Sequence, residues 1–126
     1  MPQYILLIYN PTEQDAAWRR GATGEEGGAS QEEMAKEQQR WATFMQDLKA
    51  AGALVDNRGL QGTDAATTVR VRDGETQITD GPFAETKEVL ASYFLIQADD
   101  LDTALKYAAR VPSAEHGSVE VRPVWG

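Results

Sequence analysis

The chain has no cysteine and a single histidine among its 126 residues. Without cysteine there is no disulfide, no thiolate nucleophile and no cysteine metal site, a composition compatible with a reducing compartment, and the cytoplasm is the default expectation. One histidine with scattered acids lacks the clustered ligands that zinc or iron would want, so neither a metal centre nor a cofactor is expected. Positive charge is also scarce: 12 Lys and Arg stand against 20 Asp and Glu, a formal charge of −8. Such a surface repels phosphate backbones at long range and no local basic patch offsets it, so no direct nucleic-acid contact is expected. No apolar run approaches the roughly 18 residues of a membrane span, and the N-terminus lacks a charged-then-apolar signal pattern. The glycine-rich stretch Gly24 to Gly28 follows no strand directly and has no phosphate-loop lysine, which argues against nucleotide binding.

What is present reads as one globular domain over 1–126, with 41% hydrophobic and 25% charged residues. Tyr4-Ile5-Leu6-Leu7-Ile8-Tyr9 is a continuous apolar run, too short for a helix and bounded by Pro2 and Asn10-Pro11, hence a strand buried on both faces. Residues 10–29, with interleaved glycines, acids and the Trp18-Arg19-Arg20 triplet, read as a mobile loop in which Trp18 has the character of a cover. Ser30-Gln31-Glu32-Glu33 has the form of a capping box, opening a helix whose apolar stripe is Met34, Trp41, Phe44, Met45, Leu48 and Ala51 and which stops at Gly52. Ala53 to Gly62 is a short strand in which Asp56-Asn57-Arg58-Gly59 favours a bulge.

Thr67 to Arg72 alternates cleanly, and Asp73-Gly74 turns it back through Glu75 to Thr79 as a hairpin. Glu88 to Gln97 is a second central strand. Asp99 or Asp100 caps a second helix, with Leu101, Ala104, Leu105 and Ala108 on its buried side and its end at Arg110. Ser118 to Arg122 closes the chain as a strand, with Pro123 at its end. The order strand, helix, strand, hairpin, strand, helix, strand is an α+β fold, a ferredoxin-like split βαβ with one extra β-hairpin. Two helices cover one sheet face. The central strands are apolar on both, so a homodimer is predicted, its second copy lying over the bare face.

The segment Asp80-Gly81-Pro82-Phe83-Ala84-Glu85-Thr86-Lys87-Glu88 holds more chemistry than a connection needs. Its aspartate can bond downstream N–H groups, its glycine can take a positive φ, and its proline ends strand pairing. Phe83 then either plugs the turn or lines a cleft, and Asp80, Lys87 and Glu88 are either turn residues or the polar wall of a ligand site. This segment, the closing run His116 to Val124 and the opening Tyr4 to Asn10 resemble the DGPF branch of the YCII-related family over nearly the whole chain. The resemblance implies a dimeric α+β barrel of two ferredoxin-like subunits, an inferred enzymatic activity with largely unknown substrates, and an association of some relatives with extracytoplasmic-function sigma factors. It also implies a histidine in the first helix and an aspartate before a proline near the end of the second. Here Trp41 lies near the first position and Val111 precedes Pro112, so that dyad does not carry over.

A barrel of this kind encloses a cleft. His116 is the only side chain whose ordinary pKa lies near neutrality, and Asp80 and Glu88 would form a carboxylate pair if folding joined them, so Asp80 and His116 are the candidate catalytic groups. Arg58, Phe83, Lys87, Glu88, Tyr93 and Arg122 are the candidate substrate-binding residues, with Glu120 and Arg122 also placed for mutual neutralisation two apart on one strand. Two functions follow as expectations. One is a cofactor-free enzyme acting on a small oxygenated organic molecule in the dimer cleft. The other is a non-catalytic ligand-binding or accessory protein linked to sigma-factor-dependent transcription control.

Overall fold

A computed structural model describes residues 1–84 and 86–126 of the chain; Glu85 of the DGPF segment lies outside the described residues. Strand β1 (Gln3–Pro11) is the apolar opening run, and it is central as its composition predicts. It pairs antiparallel with β5 (Glu88–Gln97) on one side and with β6 (Ser118–Pro123) on the other, while β5 also pairs with β2 (Leu54–Gly59). The strand order β2-β5-β1-β6 is that of the ferredoxin-like split βαβ. The hairpin β3 (Thr67–Arg72) and β4 (Glu75–Asp80) stands apart as a two-stranded sheet. Its turn has φ of 52° at Asp73 and 77° at Gly74, the two positive values that an Asp-Gly hairpin of the primed type requires. The bulge expected at Asp56 to Gly59 falls earlier, as a register shift between Leu54 and Asp56, and Asp56 to Gly59 pair regularly with β5.

Residues 12–22 correct the expectation of a loop. They form helix α1 (Thr12–Ala22). Glu13 and Asp15 lie in its first turn and Arg19 and Arg20 in its last, the polarity that complements a helix dipole. Asp15, itself buried, accepts from Arg19 Nε at 2.8 Å one turn on. The apolar periodicity that reveals most helices is missing because the inward side consists of Asp15, Gly21 and the half-buried Trp18. Gly21 lies so close to Ala29 that a Cβ there would meet its carbonyl oxygen at 2.5 Å, and the Ala29 N–H donates to the Ala17 carbonyl at 2.9 Å. The glycines read as loop formers thus let the 23–29 turn fold back onto the helix.

Helix α2 (Gln31–Ala50) begins where predicted: the Glu33 N–H donates to Ser30 Oγ at 3.1 Å, and the Ser30 hydroxyl donates to the Glu33 carboxylate at 3.0 Å. It ends before Gly52, whose φ of 68° completes the cap. Phe44 and Leu48 enter the core with Tyr4, Leu6 and Ile8 of β1 and Phe94 and Ile96 of β5. Trp41 stacks on Phe94 with centroids 6.0 Å apart and planes 18° from parallel, and Phe44 meets Phe94 edge-on at 5.4 Å. Each fully buried Leu or Ile here stabilises the fold by about 1.5–3 kcal/mol.

Helix α3 (Leu101–Ala109) departs from expectation in rotation. Ala104 and Ala108 are buried, but Leu101 and Leu105 are each 46% exposed, because the inward stripe runs through Thr103 and Tyr107 instead. Its cap is Asp100, which accepts from both the N–H and the hydroxyl of Thr103 at 2.8 Å. These bonds hold the Asp100 carboxyl below its ordinary range. A depressed folded-state pKa means stability present above the unfolded-state value and lost as pH falls through the folded one. Asp100→Ala is therefore expected to lower Tm at neutral pH and to have little effect at strongly acidic pH, in paired thermal melts of the two proteins.

Candidate functional site

The alternation of β1 sends Tyr4, Leu6 and Ile8 toward the helices and Ile5, Leu7 and Tyr9 to the other side. Cross-strand pairing extends that second face: Ile5 lies opposite Leu95 and Arg122, and Leu7 opposite Tyr93 and Glu120. Ile5, Leu7, Tyr93 and Leu95 are only half buried, and none of them belongs to the buried core cluster, which draws on the helix side alone. The result is an apolar floor with polar edges.

On one edge, Asp56 and Arg58 lie two apart on β2, opposite Leu95 and Tyr93. Asp56 is engaged on both carboxylate oxygens: Arg58 donates to Oδ1 at 2.9 Å and the Tyr93 hydroxyl to Oδ2 at 3.0 Å. Arg58 also donates to the Asn57 carbonyl at 2.7 Å. The hydrogen bond to Asp56, then loss of solvation, push the Tyr93 phenol above its usual value of about 10, with Arg58 opposing. Tyr93 is accordingly a neutral hydroxyl at physiological pH. Along the opposite edge, Arg122 Nε donates to Glu120, and at the end of the floor Ser118 Oγ donates to Glu88 at 2.6 Å.

That end is closed by the DGPF segment. Gly81 takes a φ of 94°, its N–H donates to the Ala66 carbonyl at 2.7 Å, and its carbonyl accepts from Thr68 Oγ1 at 2.8 Å. The turn so fixed carries Phe83 out to 77% exposure over a hollow of about 650 Å³, whose walls include Tyr9, Leu60, Leu90 and Glu88. Of the two readings of Phe83, this is the cleft-lining one.

The predicted residues therefore divide. Arg58 and Tyr93 are cross-strand neighbours, Phe83 and Glu88 share the hollow, and Arg122 lies on the far edge of the same floor. Lys87 is exposed beside the hollow, with its carbonyl accepting from the Thr12 N–H at 2.8 Å. Asp80 pairs with Thr67 at the end of the hairpin and is exposed. His116 follows the 3₁₀ turn Pro112–Glu115 and faces a different cleft, between α1 and α2. Asp80 and His116 share no cavity among the described residues. Asp56 went unmarked in the sequence because it was read as a turn former; the signal was its spacing of two from Arg58, which on a strand puts both on one face.

No cluster of three or more His, Asp or Glu able to hold a metal ion occurs among the described residues, and no helix there is long and apolar enough to cross a membrane. The model of the YCII-related domain matches residues 4–126. An uncharacterised protein of Rhizobium meliloti (strain 1021) is 37% identical over 123 residues, which span 96% of this chain and 90% of that protein. With the match running over nearly the whole length, this chain belongs to the YCII-related family.

Proposed function

We propose that a second copy of the chain lies over the apolar floor and that the chamber so enclosed takes a small oxygenated organic molecule, on which the protein acts without a cofactor. The carrying observation is the Asp56 carboxylate, held on both oxygens by Tyr93 and Arg58 at the edge of a half-covered apolar surface. An apolar floor with a few convergent polar groups is the usual make-up of a small-molecule site. The floor supports dimerisation because Ile5, Leu7 and Leu95 form a contiguous apolar strip that water covers at a cost.

In this reading the phenol of Tyr93 receives a hydrogen bond, or a proton, from the ligand's acidic O–H or C–H group as its own proton passes to Asp56 Oδ2. Returning the proton by the same route to another atom of the ligand gives a tautomerisation, in which no electrons leave or enter the molecule. Arg58 and Arg122 supply positive charge at the two edges for an anionic group of the ligand, and Phe83 with Leu90 shields the end. Tyr93 and Asp56 take the proton-carrying role here because Asp80 and His116 lie outside both the floor and the hollow.

A thermal-shift screen of small keto acids, phenols and hydroxy acids tests it. Compounds that raise the Tm of the wild type are expected to bind Tyr93→Phe and Asp56→Asn at least about tenfold more weakly, the loss of one hydrogen bond to a polar group. Both variants should sediment like the wild type. Hits that stabilise all three proteins equally would remove this chamber as the binding site.

A further inference from the structure

A hollow of about 880 Å³ lies on the helix side of the sheet, between α1, α2 and the Pro112–Glu115 turn. Nothing in the chamber reading uses it. Asn10 continues the inward row of Tyr4, Leu6 and Ile8 by one more step, so an amide stands where the core row would place another apolar side chain, and it lines this hollow. Its Oδ1 is buried and finds no hydrogen-bond donor. An unmatched buried acceptor costs stability, so a group of this kind points to a partner that the folded chain alone does not supply. Asn10 lines the hollow, and because a half-turn of its amide about the terminal bond exchanges oxygen and nitrogen, the oxygen is able to face a ligand there.

The other walls say what that partner is. The indoles of Trp18 and Trp41 both line the hollow, and flat aromatic surfaces hold aromatic rings and cations. Asp15 is already paired with Arg19, so the balance on the walls is Glu33, Glu37 and Glu115 against Lys36 and Arg40, with His116 beside Glu115. The Arg40 guanidinium serves Glu37 and Glu115 together, at 3.1 and 2.6 Å, which leaves one carboxylate charge unmatched. The Glu33 carboxylate accepts from the uncharged Ser30 hydroxyl and is paired with no cation among the described residues. An anion entering here meets repulsion, whereas a cation is drawn in.

We propose that this hollow is a second ligand site, and that it takes a small protonated aromatic amine. The ammonium group donates to Asn10 Oδ1 within the field of Glu33, Glu37 and Glu115, and the ring lies against Trp18 and Trp41. Asn10 and the two tryptophans set the specificity for the amine. Binding is separate from the chamber on the other face of the sheet.

Isothermal titration of the full chain at low ionic strength, with phenethylamine hydrochloride and with phenylacetate as the oppositely charged analogue, tests the proposal. Phenethylammonium is expected to bind saturably in the millimolar range or below and at least about tenfold more tightly than phenylacetate. Asn10→Ala and Trp18→Leu should each weaken it about tenfold or more, and Tyr93→Phe should leave it unchanged. Asn10→Ala should also melt no lower than the wild type without ligand, since it removes the unmatched oxygen; a merely structural asparagine would show the opposite. Absence of saturable heat, equal affinity for phenylacetate, or binding undiminished in folded Asn10→Ala would each overturn the assignment.

Discussion

Leu7→Asp is expected to convert the proposed dimer into 13.8 kDa monomers while leaving the fold intact, as read by sedimentation at micromolar concentration together with circular dichroism. The effect is large because a twofold interface repeats each residue, so one substitution buries two unpaired carboxylates. A buried unpaired charge costs about 3–5 kcal/mol, and two of them weaken association by about 10⁴-fold or more. The isolated subunit tolerates the change, since Leu7 is half exposed there and an aspartate reaches water. If the wild type itself sediments only as a monomer, or if Leu7→Asp remains dimeric, the covered floor and the chamber built on it are wrong. A variant that unfolds is distinguished by its lost helical signal, and Leu95→Lys, on the neighbouring strand of the same floor, then takes its place.

The second large effect is expected at Gly117. This glycine joins the Pro112–Glu115 turn to β6, and a Cβ built on it would lie 2.0 Å from the Tyr9 carbonyl oxygen and 3.1 Å from its carbon. Backbone atoms cannot swing aside as a flexible side chain does. Gly117→Ala must separate β6 from β1 locally, and it is expected to destabilise by about 2–3 kcal/mol, seen as a lower urea midpoint at unchanged m-value. Gly59→Ala is the control: a Cβ there meets nothing within 4 Å and its φ is not positive, so its effect should stay within about 0.5 kcal/mol. Equal midpoints for the two variants would show that the β1–β6 contact is looser than its geometry implies.

The Asp73-Gly74 turn, the Ser30 cap and the Gly52 stop were read from a few adjacent residues, and each is a conformation those residues adopt for local reasons. Helix α1 was not legible, because its inward side is an aspartate, a glycine and a partly covered indole, and it is held by contacts with Ala29 that no periodicity announces. Helix α3 was placed correctly along the chain but rotated, since two leucines outweigh two alanines in any pattern, whereas close approach to the sheet admits the alanines. Of the candidate substrate-binding residues, Arg58 and Tyr93 are cross-strand neighbours, Phe83 and Glu88 share a hollow, Lys87 is exposed beside it and Arg122 lies on the far edge of the floor. Asp56 was passed over, and Asp80 and His116, the candidate catalytic groups, lie by different surfaces.

Sequence by itself determined the strand identities, the Ser30 helix cap, the α+β class and the apolar excess of β1 and β5, because each follows from neighbours within a few positions and from the period of the side chains. Tertiary structure alone decided which polar groups meet: Tyr93 reaches Asp56 across 37 positions of sequence, and Asn10 is left without a donor at the end of a buried row. The physical reason is range. A turn or cap is settled by bonds among adjacent residues, whereas a hydrogen bond between strands depends on register, bulge and twist accumulated over the whole sheet.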